Sequence, residues 1–305
     1  MTEKIIAYLR LMRPANIITA IADILCGFAI SGSIISFFTA EKFNYEVMQL
    51  SNLGWLLLST IGLYGGGVVF NDFFDADLDK VERPERPIPS GLVSKSEVAI
   101  FASLLLLIGI GCAFQVNIWS GFIALIIAGL ATLYDAVSKH HVFFGPLNMG
   151  TCRGGNLLLG ISAIPIAIIN YWFLALIPLI YISAITLISR GEVHGGKKLN
   201  LLIGMALYAQ VILSILAFAF WNGNYFFYAI LFLILFAYTI GKPLWNAIKK
   251  DGNPKSIMLA VKKGVISIII LDATVSSVFI GPAYALVMLL LMPLSIFLAK
   301  KFAVT

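Results

Sequence analysis

The chain has 305 residues, 60% hydrophobic and 12% charged, with a net charge of +6. That length would suit one or two soluble domains, but so apolar a composition excludes them and points to the bilayer. The positive balance does not mark a nucleic-acid binder, because Lys and Arg sit in short loops with no basic stripe interleaved with aromatics.

In chain order, apolar runs of bilayer-spanning length predict helices over 16–37, 52–73, 98–116, 118–135, 146–168, 171–189, 200–221, 224–241, 260–280 and 282–299. Lys4, Arg10 and Arg13 precede the first run and no cleavage site follows it, so it reads as a first span rather than a signal peptide. The division at Gly281-Pro282 is the alternative point, where one kinked helix would replace two. The expectation is an all-α membrane protein, a polytopic bundle of nine or ten transmembrane helices with a polar cavity on the cytoplasmic side, and residues 1–305 forming one domain.

Loop charge alternates sharply across these spans. Lys4, Arg10, Arg13, the 80–95 group, Lys139, the 190–198 group, Lys242 through Lys263, and Lys300-Lys301 fall on one side; only Lys42 falls on the other. By the positive-inside rule the first side is cytoplasmic in a cell's plasma membrane, with both termini inside if there are ten spans. Cys26, Cys112 and Cys152 lie in apolar segments without metal-ligand spacing and read as small buried side chains.

The second span ends in Asn71-Asp72-Phe73-Phe74-Asp75-Ala76-Asp77-Leu78-Asp79. Asp72, Asp75 and Asp79 are three and four residues apart, one stripe of a helix end, with Asp77 off it. Carboxylates so grouped repel unless a hard cation sits among them, and Mg²⁺ takes a few carboxylates plus phosphate oxygens. Directly afterwards comes Glu82-Arg83-Pro84-Glu85-Arg86-Pro87-Ile88-Pro89-Ser90-Gly91, a stiff loop whose guanidinium groups match phosphate bidentately. The pair suggests a Mg²⁺-diphosphate site; a juxtamembrane loop of self-pairing charges is the alternative.

Asn71-Asp72-x-x-Asp75-x-x-x-Asp79 followed by Arg83-Pro84-x-Arg86-Pro87-Ile88-Pro89-x-Gly91 resembles the first signature of the UbiA family of intramembrane prenyltransferases. Arg13-Pro14-x-Asn16 resembles the family's opening element, and Tyr134 with Lys139 its Tyr-x-x-x-Lys element. The resemblance implies Mg²⁺ held by Asp72, Asp75 and Asp79, binding an isoprenyl diphosphate whose tail enters the apolar bundle. It implies Asp72, Asp75, Lys139 and Tyr134 as catalytic residues. Arg83, Arg86 and Lys139 would neutralise the departing diphosphate, and Asn71, Tyr134 or Asn16 would orient it. A lipophilic acceptor, an aromatic one among the candidates, would then capture the allylic cation in a water-poor chamber.

The family's second acidic signature is altered here. Its place is taken by Ser189-Arg190-Gly191-Glu192-Val193-His194-Gly195-Gly196-Lys197-Lys198, with Gly196 where an aspartate is expected and Glu192 the one remaining acid. Arg190, Lys197 and Lys198 would hold diphosphate directly, or serve topology alone; His194 is a candidate ligand or base. With Leu133-Tyr134-Asp135-Ala136 and Cys152-Arg153-Gly154-Gly155-Asn156, this loop resembles the UbiA-like EboC subgroup, encoded in bacterial secondary-metabolite clusters.

Arg153 lies at helix depth and must face a cavity or an acid; the reading is substrate contact, with Asp135 as the alternative partner, and Asn156 joins it. Asp23 shares a helix face with Asn16, whereas Asp272 reads as a helix–helix contact, as do the glycines of Tyr64-Gly65-Gly66-Gly67. Two functions compete: a Mg²⁺-dependent prenyltransferase, and a catalytically altered relative that binds or helps export an isoprenoid-type metabolite.

Overall fold

A computed structural model describes residues 2–34, 43–193 and 195–302. Lys42, His194 and the end of the first predicted span beyond residue 34 lie outside the described residues. The described part is helical throughout: α1 (Thr2–Met12), α2 (Pro14–Ile30), α3 (Phe43–Phe74), α4 (Ala76–Glu82), α5 (Lys95–Val116), α6 (Ile118–Leu133), α7 (Phe144–Ile161), α8 (Pro165–Tyr171), α9 (Leu176–Ser189), α10 (Lys198–Asn222), α11 (Phe226–Lys249), α12 (Pro254–Ile280), α13 (Pro282–Leu289) and α14 (Leu291–Phe302).

Among the described residues, eight helical segments are long and apolar enough to cross a bilayer, or nine if the bent pair α1–α2 counts as one. These correspond to nine of the ten predicted spans. The exception is 146–168. Its helix, α7, carries Asn148, Arg153 and Asn156, all buried, and is too polar to face lipid. Buried among other helices, it has no need to. The predicted run also overshoots: α7 stops at Ile161 and the next helix starts at Pro165, where proline occupies the first helical position. The turn between them is held by Asn117, which donates to the Ser162 carbonyl at 2.7 Å, and by the Ser120–Ser162 hydroxyl pair at 2.7 Å.

The Gly281-Pro282 division is a reversal. Gly281 takes φ 94° there, a region glycine enters without steric cost. Tyr284 then donates to the Leu25 carbonyl at 2.9 Å and Ser295 to Ala15 at 3.0 Å, so the last segment runs antiparallel to α2.

Two close helix crossings set the centre of the bundle. A Cβ on Gly27 would lie 2.4 Å from the Leu157 carbonyl oxygen, and one on Gly160 2.6 Å from that of Ile24. Backbones of α2 and α7 therefore touch, the contact by which small residues associate helices in lipid. Gly62 and Gly109 do the same for α3 and α5. The second half of the Tyr64-Gly65-Gly66-Gly67 run packs likewise, Gly66 against Leu106 and Gly67 against Ala131.

Candidate active site

The acidic box straddles a helix break. α3 ends at Phe74 and α4 begins at Ala76, yet helical bonds continue from Asp75 N to Asn71 O (3.0 Å) and from Asp79 N to Asp75 O (2.8 Å). The stripe therefore survives the break. Asp72 and Asp79 are buried, Asp75 half-buried, and Asp77 points away to pair with Lys80 and Lys95 at the surface. Those two ammonium groups hold the Asp77 carboxyl below the usual carboxylate range.

Each stripe acid meets a cation. Arg13 Nη2 donates to Asp72 Oδ1 at 2.5 Å, and Arg86 Nη1 donates to Asp79 Oδ2 at 2.7 Å and Asp72 Oδ1 at 3.3 Å. Lys139 pairs with Asp75 Oδ2. Arg13 reaches Asp72 from a left-handed backbone, φ 50° and ψ 65°, at the 44° bend between α1 and α2. A residue before proline is disfavoured in the right-handed helical region, and a non-glycine left-handed residue costs about 1–3 kcal/mol. The ion pair offsets that strain. Asn71 donates to Asp135 Oδ1 at 2.8 Å, so Asp135 serves Asn71 and not Arg153.

Lys139 is positioned by an unusual turn. Tyr134 and Lys139 are five residues apart, one more than in a Tyr-x-x-x-Lys element. The surplus residue is absorbed by a π-helical turn, Tyr134–Ser138, closed by Lys139 N donating to Tyr134 O at 2.9 Å. Such bulges concentrate at functional sites. Arg190 braces the same loop, donating to the His141 carbonyl at 2.5 Å and that of Lys139 at 3.4 Å.

The 189–198 loop does reach the site, through different groups than its lysines. Glu192 stands beside Arg83; burial pushes its carboxyl up while the guanidinium opposes the shift. Lys197 and Lys198 are exposed at the start of α10, and no contact among the described residues joins them to the box. The glycines form a clasp instead. Gly196 N donates to Gly252 O at 3.0 Å, a Cβ on Gly252 would lie 2.1 Å from Gly196 O, and one on Gly191 2.6 Å from Gly196 Cα.

Deeper in the bundle, Arg153 Nε lies 2.6 Å from Asp23 Oδ2. Asn156 donates to the same oxygen and to Ala20 O, both at 2.9 Å, and receives Thr60 Oγ1 at 2.7 Å. Arg153 also lies over the Tyr64 ring, 5.8 Å to its centroid, and the Tyr64 hydroxyl stands near Asn16. Asp272 stands within hydrogen-bonding reach of Asp23 and so belongs to this centre. Tyr64 and Thr60 were not marked by the sequence, and Asp272 was set aside; an intramembrane acid was the one available signal.

Among the described residues no three His, Cys, Asp or Glu side chains sit close enough together to hold a metal. The donor chemistry of the box nevertheless suits Mg²⁺. Asp72, Asp75 and Asp79 engage the cations through one oxygen each, leaving the second oxygen of each without a protein partner. Arg86, Arg13 and Lys139 supply the positive charge that the acids require.

A helical bundle of this kind is shared by solved structures. One solved structure, described as giving "structural and mechanistic insights into the biosynthesis of digeranylgeranylglyceryl phosphate synthase in membranes", superposes with a TM-score of 0.67 at 21% identity, covering 91% of this chain and 99% of that chain. A UbiA homolog from Archaeoglobus fulgidus bound to DMAPP and Mg²⁺ gives 0.55 at 16% identity, covering 97% and 98%. Residues 29–260 match the UbiA prenyltransferase family, and the chain belongs to that family. Named relatives are digeranylgeranylglyceryl phosphate synthases and not EboC proteins. That of Methanococcoides burtonii (strain DSM 6242) is 35% identical over 153 residues, 50% of this chain and 53% of the relative. The chain spans about half the length of the first curated relatives it matches.

Proposed function

We propose that this protein transfers an isoprenyl group from its diphosphate to a lipophilic acceptor in the membrane. The observation that carries the reading is the pairing of three cations with three carboxylates at one end of an apolar bundle. Mg²⁺, held by Asp72, Asp75 and Asp79, would neutralise diphosphate charge. As acids bind metal, Arg13, Arg86 and Lys139 are released toward phosphate oxygens, which guanidinium and ammonium groups bind strongly. Arg83 and Glu192 border the same site. The bond from the isoprenyl carbon to the diphosphate oxygen breaks, the electron pair leaves on the diphosphate, and the acceptor attacks the allylic cation and loses a proton. Cations fixed in place stabilise the negative charge as it develops. The surrounding apolar helices exclude the water that would quench the cation.

The box face is the cytoplasmic face of the plasma membrane in this reading, since Lys and Arg concentrate there. Asn16, Asn71 and Tyr134 orient the donor, while Lys197 acts from the rim. The EboC-like placement rests on the altered 189–198 loop together with Leu133-Tyr134-Asp135-Ala136 and Cys152-Arg153-Gly154-Gly155-Asn156. The same loop favours a second reading, binding of an isoprenoid-type metabolite without turnover, because its clasped glycines supply no second set of acids.

The deciding experiment incubates purified protein with labelled geranyl, farnesyl and geranylgeranyl diphosphates, Mg²⁺ and a host lipid extract. Product that disappears in Asp72→Asn supports transfer. Binding of every donor without product favours the second reading, and absence of binding overturns both.

A further inference from the structure

Gln210 stands where a polar side chain is hardest to keep. α10 is 25 residues long and apolar enough to cross the bilayer. Gln210 is its thirteenth residue, about 18 Å from either end at 1.5 Å per residue, which is the depth of the hydrocarbon centre. The side chain does not turn into the bundle. It is exposed, on the outer face of a helix packed between α9 and α11.

Its hydrogen bonding is incomplete. Among the described residues its one bond runs along its own helix, from Nε2 to Ser214 Oγ at 3.3 Å. A primary amide has two donor hydrogens and an accepting carbonyl, so one N–H and the whole carbonyl are left facing lipid. Lipid tails offer neither donor nor acceptor, and water is absent at that depth. A short hydroxyl has another way out: Ser103, exposed on α5, donates to the Ala99 carbonyl of its own helix at 2.8 Å. The Gln210 carbonyl needs a donor instead, and the backbone N–H groups around it are taken up by the helix.

The face around Gln210 identifies the partner. Ile203, Ala206, Gln210, Leu213, Ala217 and Phe220 are all exposed, at successive intervals of three, four, three, four and three residues. That is the seam along which two helices cross at a small angle. Any lipid-facing helix offers such a stripe; this one carries a single amide at its middle. Ala206 and Ala217 lie on either side of it, small enough to let two backbones approach. In a parallel pair related by a two-fold axis, each seam residue meets its own copy. An amide is self-complementary in that position, because the N–H of each donates to the carbonyl of the other. One polar residue in an otherwise apolar seam also fixes the register of the pair. Beside the seam, Phe173, Ile177, Ile180 and Phe218 line a groove between the start of α9 and α10 together with Gln210 and Ser214, a recess for the second copy's side chains. We propose that this face of α10 is an interface between two copies of the chain, locked by reciprocal hydrogen bonds between the two Gln210 amides. A two-fold axis along the membrane normal keeps both acidic boxes on the same side of the bilayer.

The test reconstitutes the fluorescently labelled full chain in lipid vesicles at decreasing protein-to-lipid ratio and counts photobleaching steps. Wild type should bleach in two steps at dilutions where Gln210→Leu already bleaches in one. The dimer constant should weaken at least about tenfold, the scale of two lost interhelical hydrogen bonds. Gln210→Asn, which keeps the amide, should recover much of the association. Ala206→Cys in an otherwise unmodified chain should cross-link two copies under mild oxidation, whereas Leu104→Cys, exposed on α5, should not. The cross-link locates the interface even if a Gln210 variant folds poorly. Single-step bleaching of wild type at every ratio, undiminished pairing of Gln210→Leu, or equal cross-linking at Leu104→Cys overturns the interface.

Discussion

Two loops meet at the same face of this bundle and have taken opposite courses. In 71–91, acids and cations face each other across a helix break, and strain at Arg13 is tolerated to complete the set. In 189–198, glycines press against a neighbouring turn, with Gly195 at φ 87° and Gly252 at φ 72°. The first loop is organised by charge. The second is organised by backbone contact and holds a shape. The lesson is that one face of a bundle can be closed by backbone packing in one loop and by paired charge in another.

The contrast can be broken most severely at Asp75. Asp75→Asn removes the partner of Lys139 and should lower prenyl transfer by about 10²–10³-fold, the range for losing one preorganised electrostatic group, measured as labelled product per unit time. A variant retaining full activity would mean the box is structural. Next in size is Gly252→Ala, which places a Cβ 2.1 Å from Gly196 O at a positive φ. It should cost about 1–3 kcal/mol in a detergent melting assay and lower activity only in proportion to folded protein. A fall in turnover without a fall in stability would show that the clasp takes part in chemistry.

Glu192→Gln should have a smaller effect that depends on pH. Its folded carboxyl titrates above its unfolded value, so the folded state holds the proton longer. That favours folding below the unfolded value and is lost as pH rises through the folded one. The glutamine variant should therefore match wild type near pH 4 and melt slightly higher at pH 7. An equal difference at both pH values would refute the linkage. The smallest effect belongs to Asp77→Asn. The carboxyl is exposed and paired outward with Lys80 and Lys95, so activity should be unchanged. A loss comparable to that of Asp75→Asn would erase the distinction between stripe and surface.

Much of this was legible in the residues. Spans follow from apolar length, and the box from charge density at their edge, because both signals are local. The expected span 146–168 overruns its helix, which ends at Ile161, because the apolar run continues across the turn before Pro165. Arg153 reads in sequence as facing substrate or Asp135; its ion-pair partner is Asp23, which lies 130 residues earlier in the chain and comes near through the Gly27–Gly160 crossing. Pairings of that kind are long-range. So is the stance of Arg13, visible in the sequence only as a residue before a proline.

The π-helical turn before Lys139 bears on how such proteins tolerate change. A five-residue interval wound as a π turn returns the chain to nearly the bearing that four residues give in an α-helix. Deleting Val137 should therefore straighten the helix into regular winding and leave the ammonium group still aimed at Asp75. Shortening the same helix a turn earlier would swing it aside by about 100°. Asp75 depends on an angle rather than on a residue count, and one codon can come or go there while the ion pair stays in phase.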